Sequence, residues 1–113
     1  MLDTEKLIAK VDALTPNQYS KDQKLNWISQ LDHKIDIELR KTHMIPEDEE
    51  LKNPYEDDLY TYWLQAMIAL QNAEIAKYNQ QISMFNNTYG QFEALVNRTY
   101  YPVQPKPGNR YIF

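Results

Sequence analysis

The sequence predicts an all-α protein: a short N-terminal helix, a second helix antiparallel to a long C-terminal helix, and an extended Pro-rich C-terminal arm. Three observations carry that expectation. Apolar residues recur at steps of three and four along most of the chain, the period of a helix face. Ser20, Asn53, Pro16 and Pro54 stand where such segments should start or stop. From Pro102 onward three prolines in six residues rule out helix and favour extended, polyproline-like chain.

In the first helix Leu7, Ile8, Val11 and Leu14 form the stripe, with Asp3 or Thr4 as cap. Thr15-Pro16-Asn17 ends it, because Pro16 lacks a donor and pushes Thr15 out of the helical region. Ser20-x-x-Gln23 is a capping-box pattern opening the second helix. Leu25, Ile28, Leu31, Ile35 and Leu39 continue it to about His43, with Trp27 flanking the stripe. Trp27, Leu31 and Ile35 are expected to pack on the Leu64–Ile75 stretch of the long helix. Met44 to Lys52 is an acidic loop containing Pro46.

Asn53-Pro54-Tyr55-Glu56 then supplies a cap, a proline at the first helical position and Glu at the third. Asp57 and Asp58 add negative charge where the helix dipole favours it. One long helix is expected from Leu59 to Tyr101. Tyr78, Ile82, Phe85, Tyr89, Phe92 and Val96 form a near-heptad seam, which extends back through Ile75, Gln71, Ile68 and Leu64. Gly90, after Asn86-Asn87-Thr88, is the expected kink or break. Unbroken, this helix would run about 65 Å at 1.5 Å per residue. The chain thus divides into a helical domain, 1–101, and an arm, 102–113.

Net charge is −4, and its distribution says more than its sum. Residues 1–46 balance, and residues 59–113 are slightly basic. Residues 47–58 set Glu47, Asp48, Glu49, Glu50, Glu56, Asp57 and Asp58 against Lys52. No basic stripe could neutralise a row of phosphates, so charge-driven nucleic-acid binding is disfavoured. The chain has no cysteine, hence no disulfide or thiolate metal site. No apolar run reaches the roughly 20 residues of a membrane span, and the N-terminus lacks a signal-peptide pattern. A soluble protein made in a cytoplasm is expected.

Chemistry-bearing constellations are sparse. His33 and His43 lie near Asp32, Asp36 and Glu38, but the Glu-x-x-His pattern of carboxylate-bridged metals is missing, since Gln30 and Arg40 stand three residues before them. Asp32 and Asp36 share a helix face and, with Lys34, Arg40 and Lys41 nearby, read as solvated rather than as an acid/base pair. There is no Gly-rich phosphate loop, no Ser nucleophile motif and no EF-hand. No catalytic, cofactor-binding or metal-binding residue is expected, and no enzymatic activity.

The informative feature is the long helix's poverty in charge: from Leu59 to Tyr101 only Glu74, Lys77, Glu93 and Arg98 are charged. Amides and aromatics fill the rest, as at the core of protein interfaces. Tyr62, Tyr78, Phe85 and Tyr89 are therefore candidate oligomer-interface residues. Tyr111, Ile112 and Phe113, on an arm stiffened by Pro105 and Pro107, are candidate partner-binding residues; packing back onto their own helices is the alternative. Glu47, Asp48, Glu49 and Glu50 read as a solvated loop, or as an acidic surface facing a DNA channel.

The chain resembles a family of small proteins from tailed-phage and prophage structural gene clusters. The resemblance is carried by Trp27-Ile28-x-x-Leu31-Asp32-x-x-Ile35-x-x-Glu38 and Pro54-Tyr55-Glu56-Asp57-x-x-Tyr60. It continues in Leu64-x-Ala66, Glu74-x-x-x-Tyr78-Asn79, Met84-Phe85-Asn86 and Asn97-Arg98-Thr99. It covers about Leu25 to Pro102 and rests on helix-packing residues. It implies a virion protein, assembled in the host bacterial cytoplasm: a head–tail connector (adaptor) forming a homo-oligomeric ring beneath the portal. Portal and other head–tail proteins would be its partners, with DNA as passing cargo and no membrane. The alternative is a cytoplasmic helical adaptor or scaffold that captures one partner through the charge-poor helix.

Overall fold

A computed structural model of the chain describes residues 2–99, and these are all-helical: α1 (Thr4–Leu14), α2 (Lys21–Ile35), α3 (Glu56–Gln71) and α4 (Ile75–Thr99). A π-helical turn, Asp36–Arg40, extends α2. The arm, with Pro105, Pro107, Tyr111, Ile112 and Phe113, lies outside the described residues.

The starts of α1 and α2 follow the sequence signals. Asp3 Oδ1 accepts from the backbone N–H of Glu5 and Lys6, so Asp3 rather than Thr4 caps α1. Ser20 Oγ accepts from Gln23 N–H at 3.1 Å. Asn53 Oδ1 accepts from Tyr55 N–H at 3.0 Å in a local turn, but α3 begins at Glu56 with Tyr55 at its N-cap and no side-chain cap bond, so Asn53 and Pro54 precede the helix rather than cap and open it. The end of α2 also lies where expected. Lys41 N–H donates to Asp36 O, and a 3.2 Å bond from Met44 N–H to Lys41 O and a 2.9 Å bond from Ile45 N–H to Arg40 O close the helix around Met44, at φ 57°.

The long C-terminal helix is real, but it begins at Ile75 and runs unbroken through Gly90. The break falls at Asn72-Ala73-Glu74. Ala73 sits in the left-handed region at φ 59°, its N–H donating to Leu70 O (3.1 Å) and Glu74 N–H donating to Ala69 O (2.9 Å). This is the paired-bond helix stop that usually carries glycine. A left-handed alanine costs roughly 1 kcal/mol against the alternatives, which is small beside the packing it permits. α3 and α4 fold back on each other and make the most extensive helix contact in the molecule. The 65 Å rod becomes a hairpin.

Cross-links fix the register. Tyr19 Oη donates to Asn72 Oδ1, Trp63 Nε1 donates to Trp27 O at 2.8 Å, and Tyr60 Oη donates to Asp32. Partners falling as their numbers rise makes α2 antiparallel to α3. Trp27 therefore meets Trp63, and the α2 stripe packs alongside Leu59 to Ile68 rather than reaching Ile75, which is 58 % exposed. On the far side Tyr89 Oη donates to Glu38 and His43 Nε2 contacts Asn97 Oδ1, so α4 runs parallel to α2. One core results, with Leu7, Val11, Leu31, Leu39, Leu64, Ile68, Phe85 and Phe92 buried. Leu14, the last member of the α1 stripe, projects into solvent instead.

Candidate assembly surfaces

The two faces of α4 have opposite fates. Its inner face is an aromatic ladder: Trp63 to Phe85 at 5.2 Å between ring centroids, Phe85 to Tyr89 at 5.5 Å, Tyr89 to Phe92 at 6.5 Å. Phe85 and Tyr89, read from sequence as oligomer-interface residues, are 2 % and 8 % exposed within the subunit. The correction has a simple cause: once the chain turns back at Ala73, the near-heptad seam finds its partner in α3. Tyr62 and Tyr78 are half-buried at the edge of the same core. Burial, then the neighbouring Glu38 carboxylate, pushes the Tyr89 hydroxyl far above the ordinary tyrosine range, so it stays a neutral donor.

The outer face is solvated and nearly free of charge. Between Lys77 and Glu93 lie roughly 22 Å of helix at 1.5 Å per residue with no charged side chain. Asn79, Gln80, Ser83, Asn87, Gly90 and Gln91 are all exposed there. A Cβ added at Gly90 would meet nothing within 4 Å. These amides have been spared by the hairpin core, and they are the surface to which the interface argument now applies.

A second feature is a cleft of about 880 Å³ between α2, the acidic loop and α3. Ile28, Ile35, Leu51 and Phe92 contribute to its lining, and carboxylates crowd its walls: Asp32, Asp36, Glu47 to Glu50, and Glu56. As expected, Asp36 pairs with Arg40 (3.9 Å) and Lys41 (3.6 Å); Asp32, itself exposed, accepts in addition from the Tyr60 hydroxyl. The Arg40 guanidinium also donates to Pro46 O and to Glu49 O, the latter at 2.8 Å, which ties the loop down. Glu47 and Asp48 are exposed and, among the described residues, make no hydrogen bond or ion pair with another residue. Burial raises the Glu56 carboxyl above its usual range, and the charges of Asp32 and Glu50 add to the shift.

The acidic run was legible in the sequence; the cleft was not, because Asp32 and Asp36 join it only through the packing of α2 on α3. Arg40 as the loop's anchor was likewise missed, since backbone carbonyl partners leave no pattern in a sequence. His43 is held by Leu39 O and Asn97 at the helix ends, while His33 is exposed. Among the described residues no three His, Cys, Asp or Glu side chains converge as metal ligands, and no helix is long and apolar enough to cross a membrane. Comparison with protein-family models, with curated proteins and with solved structures finds no match to this chain.

Proposed function

We propose that this chain is a virion structural protein, a head–tail connector subunit that forms a homo-oligomeric ring between portal and tail. The observation that carries the reading is the outer face of α4. A helix facing water normally interleaves Lys, Glu and Arg over about 25–35 % of its surface, and this face has none across some four turns. Amides and small side chains desolvate at lower cost than ions and find new hydrogen bonds against a partner. A ring needs two unlike surfaces on each subunit, and the acidic cleft is unlike the α4 face. The motif resemblance to phage structural proteins supports the same reading.

The test is a charge placed on the exposed face. Asn87→Lys with Gln91→Glu should leave helicity and the melting temperature nearly unchanged, since both side chains are exposed. Size-exclusion chromatography with light scattering and electron microscopy should show rings for the unmodified chain and their loss in the variant. Rings that survive both charges would remove α4 as the interface. A stable dimer or one-to-one complex in place of a ring would favour the cytoplasmic adaptor.

A further inference from the structure

We infer that the acidic cleft is the docking site for the Pro-rich arm of a second copy of this chain, residues 103–113. The inference rests on the assembly reading in one respect: arm and cleft belong to different subunits.

Size comes first. At about 880 Å³ the cleft is of the class that takes an organic ligand or a short peptide. A metal ion is a poor occupant, because no three ligating side chains converge among the described residues. Charge comes next. The walls carry Asp32, Asp36, Glu47, Asp48 and Glu56, and the basic side chains that Asp36 meets, Arg40 and Lys41, cannot balance them all. Glu47 and Asp48 have no hydrogen-bond or ion-pair partner among the described residues. The arm has the complementary character: Lys106 and Arg110 are its only charged residues, and both are cationic. Apolar lining from Ile28, Ile35 and Leu51 offers contact for Tyr111, Ile112 or Phe113. Aromatic anchors set beside an arginine are the composition of an interface hot spot.

Reach decides which copy supplies the arm. Thr99, the last described residue, lines a smaller pocket together with Glu50 and Asn53, and those two residues also line the cleft. Pro102, Pro105 and Pro107 favour extended chain at about 3.1 Å per residue. Eight residues extended at that rise would span roughly 25 Å, enough to pass the cleft of the same subunit and reach that of a neighbour. Stiffness also lowers the entropy lost on docking.

Two full-length variants test this in light scattering and native mass spectrometry. One reverses the cleft, Glu47→Lys with Asp48→Lys; the other reverses the arm, Lys106→Glu with Arg110→Glu. Each alone should self-associate at least ten-fold more weakly than the unmodified chain, with the same helical circular dichroism. The milder Glu47→Gln with Asp48→Asn should fall between, which guards against a folding defect in the lysine variant. A one-to-one mixture should form mixed complexes, because the intact arm of the first variant meets the intact cleft of the second. A chain carrying all four reversals should associate like the unmodified one. Unchanged association in both variants would overturn the inference while leaving the α4 interface standing. Recovery in the four-fold variant without mixed complexes would mean each arm binds its own cleft, and would overturn it too. An unmodified chain that stays monomeric at every concentration would overturn both this inference and the ring.

Discussion

The N-terminal part of the molecule and the α3–α4 hairpin are held together by different chemistry. Through residue 58 the chain is laced by ion pairs: Lys24–Asp12 at 2.8 Å, Lys34–Glu38 at 2.8 Å, the Arg40–Asp36–Lys41 group, and Lys10–Asp57 at 2.6 Å, which joins α1 to the first turn of α3. Beyond it, among the described residues, the hairpin has one ion pair, Lys77–Glu74 near its turn, and packs through stacked rings and aliphatic side chains. Surface ion pairs add little stability each, but they are at home in water. The exposed amides of α4 are equally soluble yet need no ion stripped of water when covered, so that face can be covered at lower cost than one dressed with ion pairs.

The comparison is sharpest in the core, where both halves should depend on packing. Phe85→Ala should cost about 3–5 kcal/mol and Leu31→Ala about 2–5 kcal/mol, because each side chain is nearly or fully buried. Urea denaturation followed by circular dichroism measures both. A loss below about 1 kcal/mol at Phe85 would mean that α4 does not fold back on α3.

Asp12 and Lys24 probe the charged half. The Lys24 side chain is 6 % exposed with its ammonium 2.8 Å from Asp12, which is 41 % exposed. Asp12→Ala leaves a buried ammonium without its acceptor and should cost about 1–3 kcal/mol. Lys24→Met keeps the aliphatic stem and frees a carboxylate that water can reach, so its cost should stay below about 1 kcal/mol. The order of the two midpoints is the result to watch. Equal losses would show that the stem alone matters.

Two backbone positions separate what could be read in the chain from what could not. The starts of α1 and α2 were legible because Asp3 and Ser20 carry side-chain acceptors suited to free N–H groups, whereas α3 starts two residues later than the Asn53-Pro54 signal implies. The stop at Ala73 was not, because alanine is the best helix former and nothing local disfavours continuing. Tertiary packing of α3 on α4 overrides that preference. Gly90, the residue that looked like the break, is an ordinary exposed helical position. The same oversight misplaced Phe85 and Tyr89, whose seam is indistinguishable in sequence from one facing another chain. The absence of charge on the outer α4 face was visible from composition, whereas the cleft needed three elements brought together.

Those positions give paired tests of about 1 kcal/mol. Ala73→Gly should stabilise by up to about 1 kcal/mol, since glycine has no penalty at positive φ. Gly90→Ala should stabilise by about 0.5–1 kcal/mol, since its Cβ meets nothing. A helix broken at Gly90 would reverse both signs, and thermal melting reads them directly.

The smallest effect concerns Glu38, where charged half and aromatic hairpin meet. The Lys34 ammonium, 2.8 Å away, lowers the Glu38 carboxyl below its usual range; partial burial opposes this, and the Tyr89 hydroxyl adds a second favourable bond. A carboxyl with a folded pKa below its unfolded value of about 4.3 contributes stability at pH above that value. The contribution is lost as pH falls through the lower folded value. Glu38→Gln keeps an acceptor for Tyr89 but cannot pair with Lys34. At pH 7 it should cost less than about 1 kcal/mol, discounted because Glu38 is 44 % exposed. At a pH below the lowered folded value the two proteins should converge, because both then present a neutral side chain to Lys34. Denaturation midpoints at the two pH values measure the gap. A gap that persists unchanged in acid would show that pairing with Lys34 is not what Glu38 contributes, because the charge that distinguishes it from glutamine is gone there.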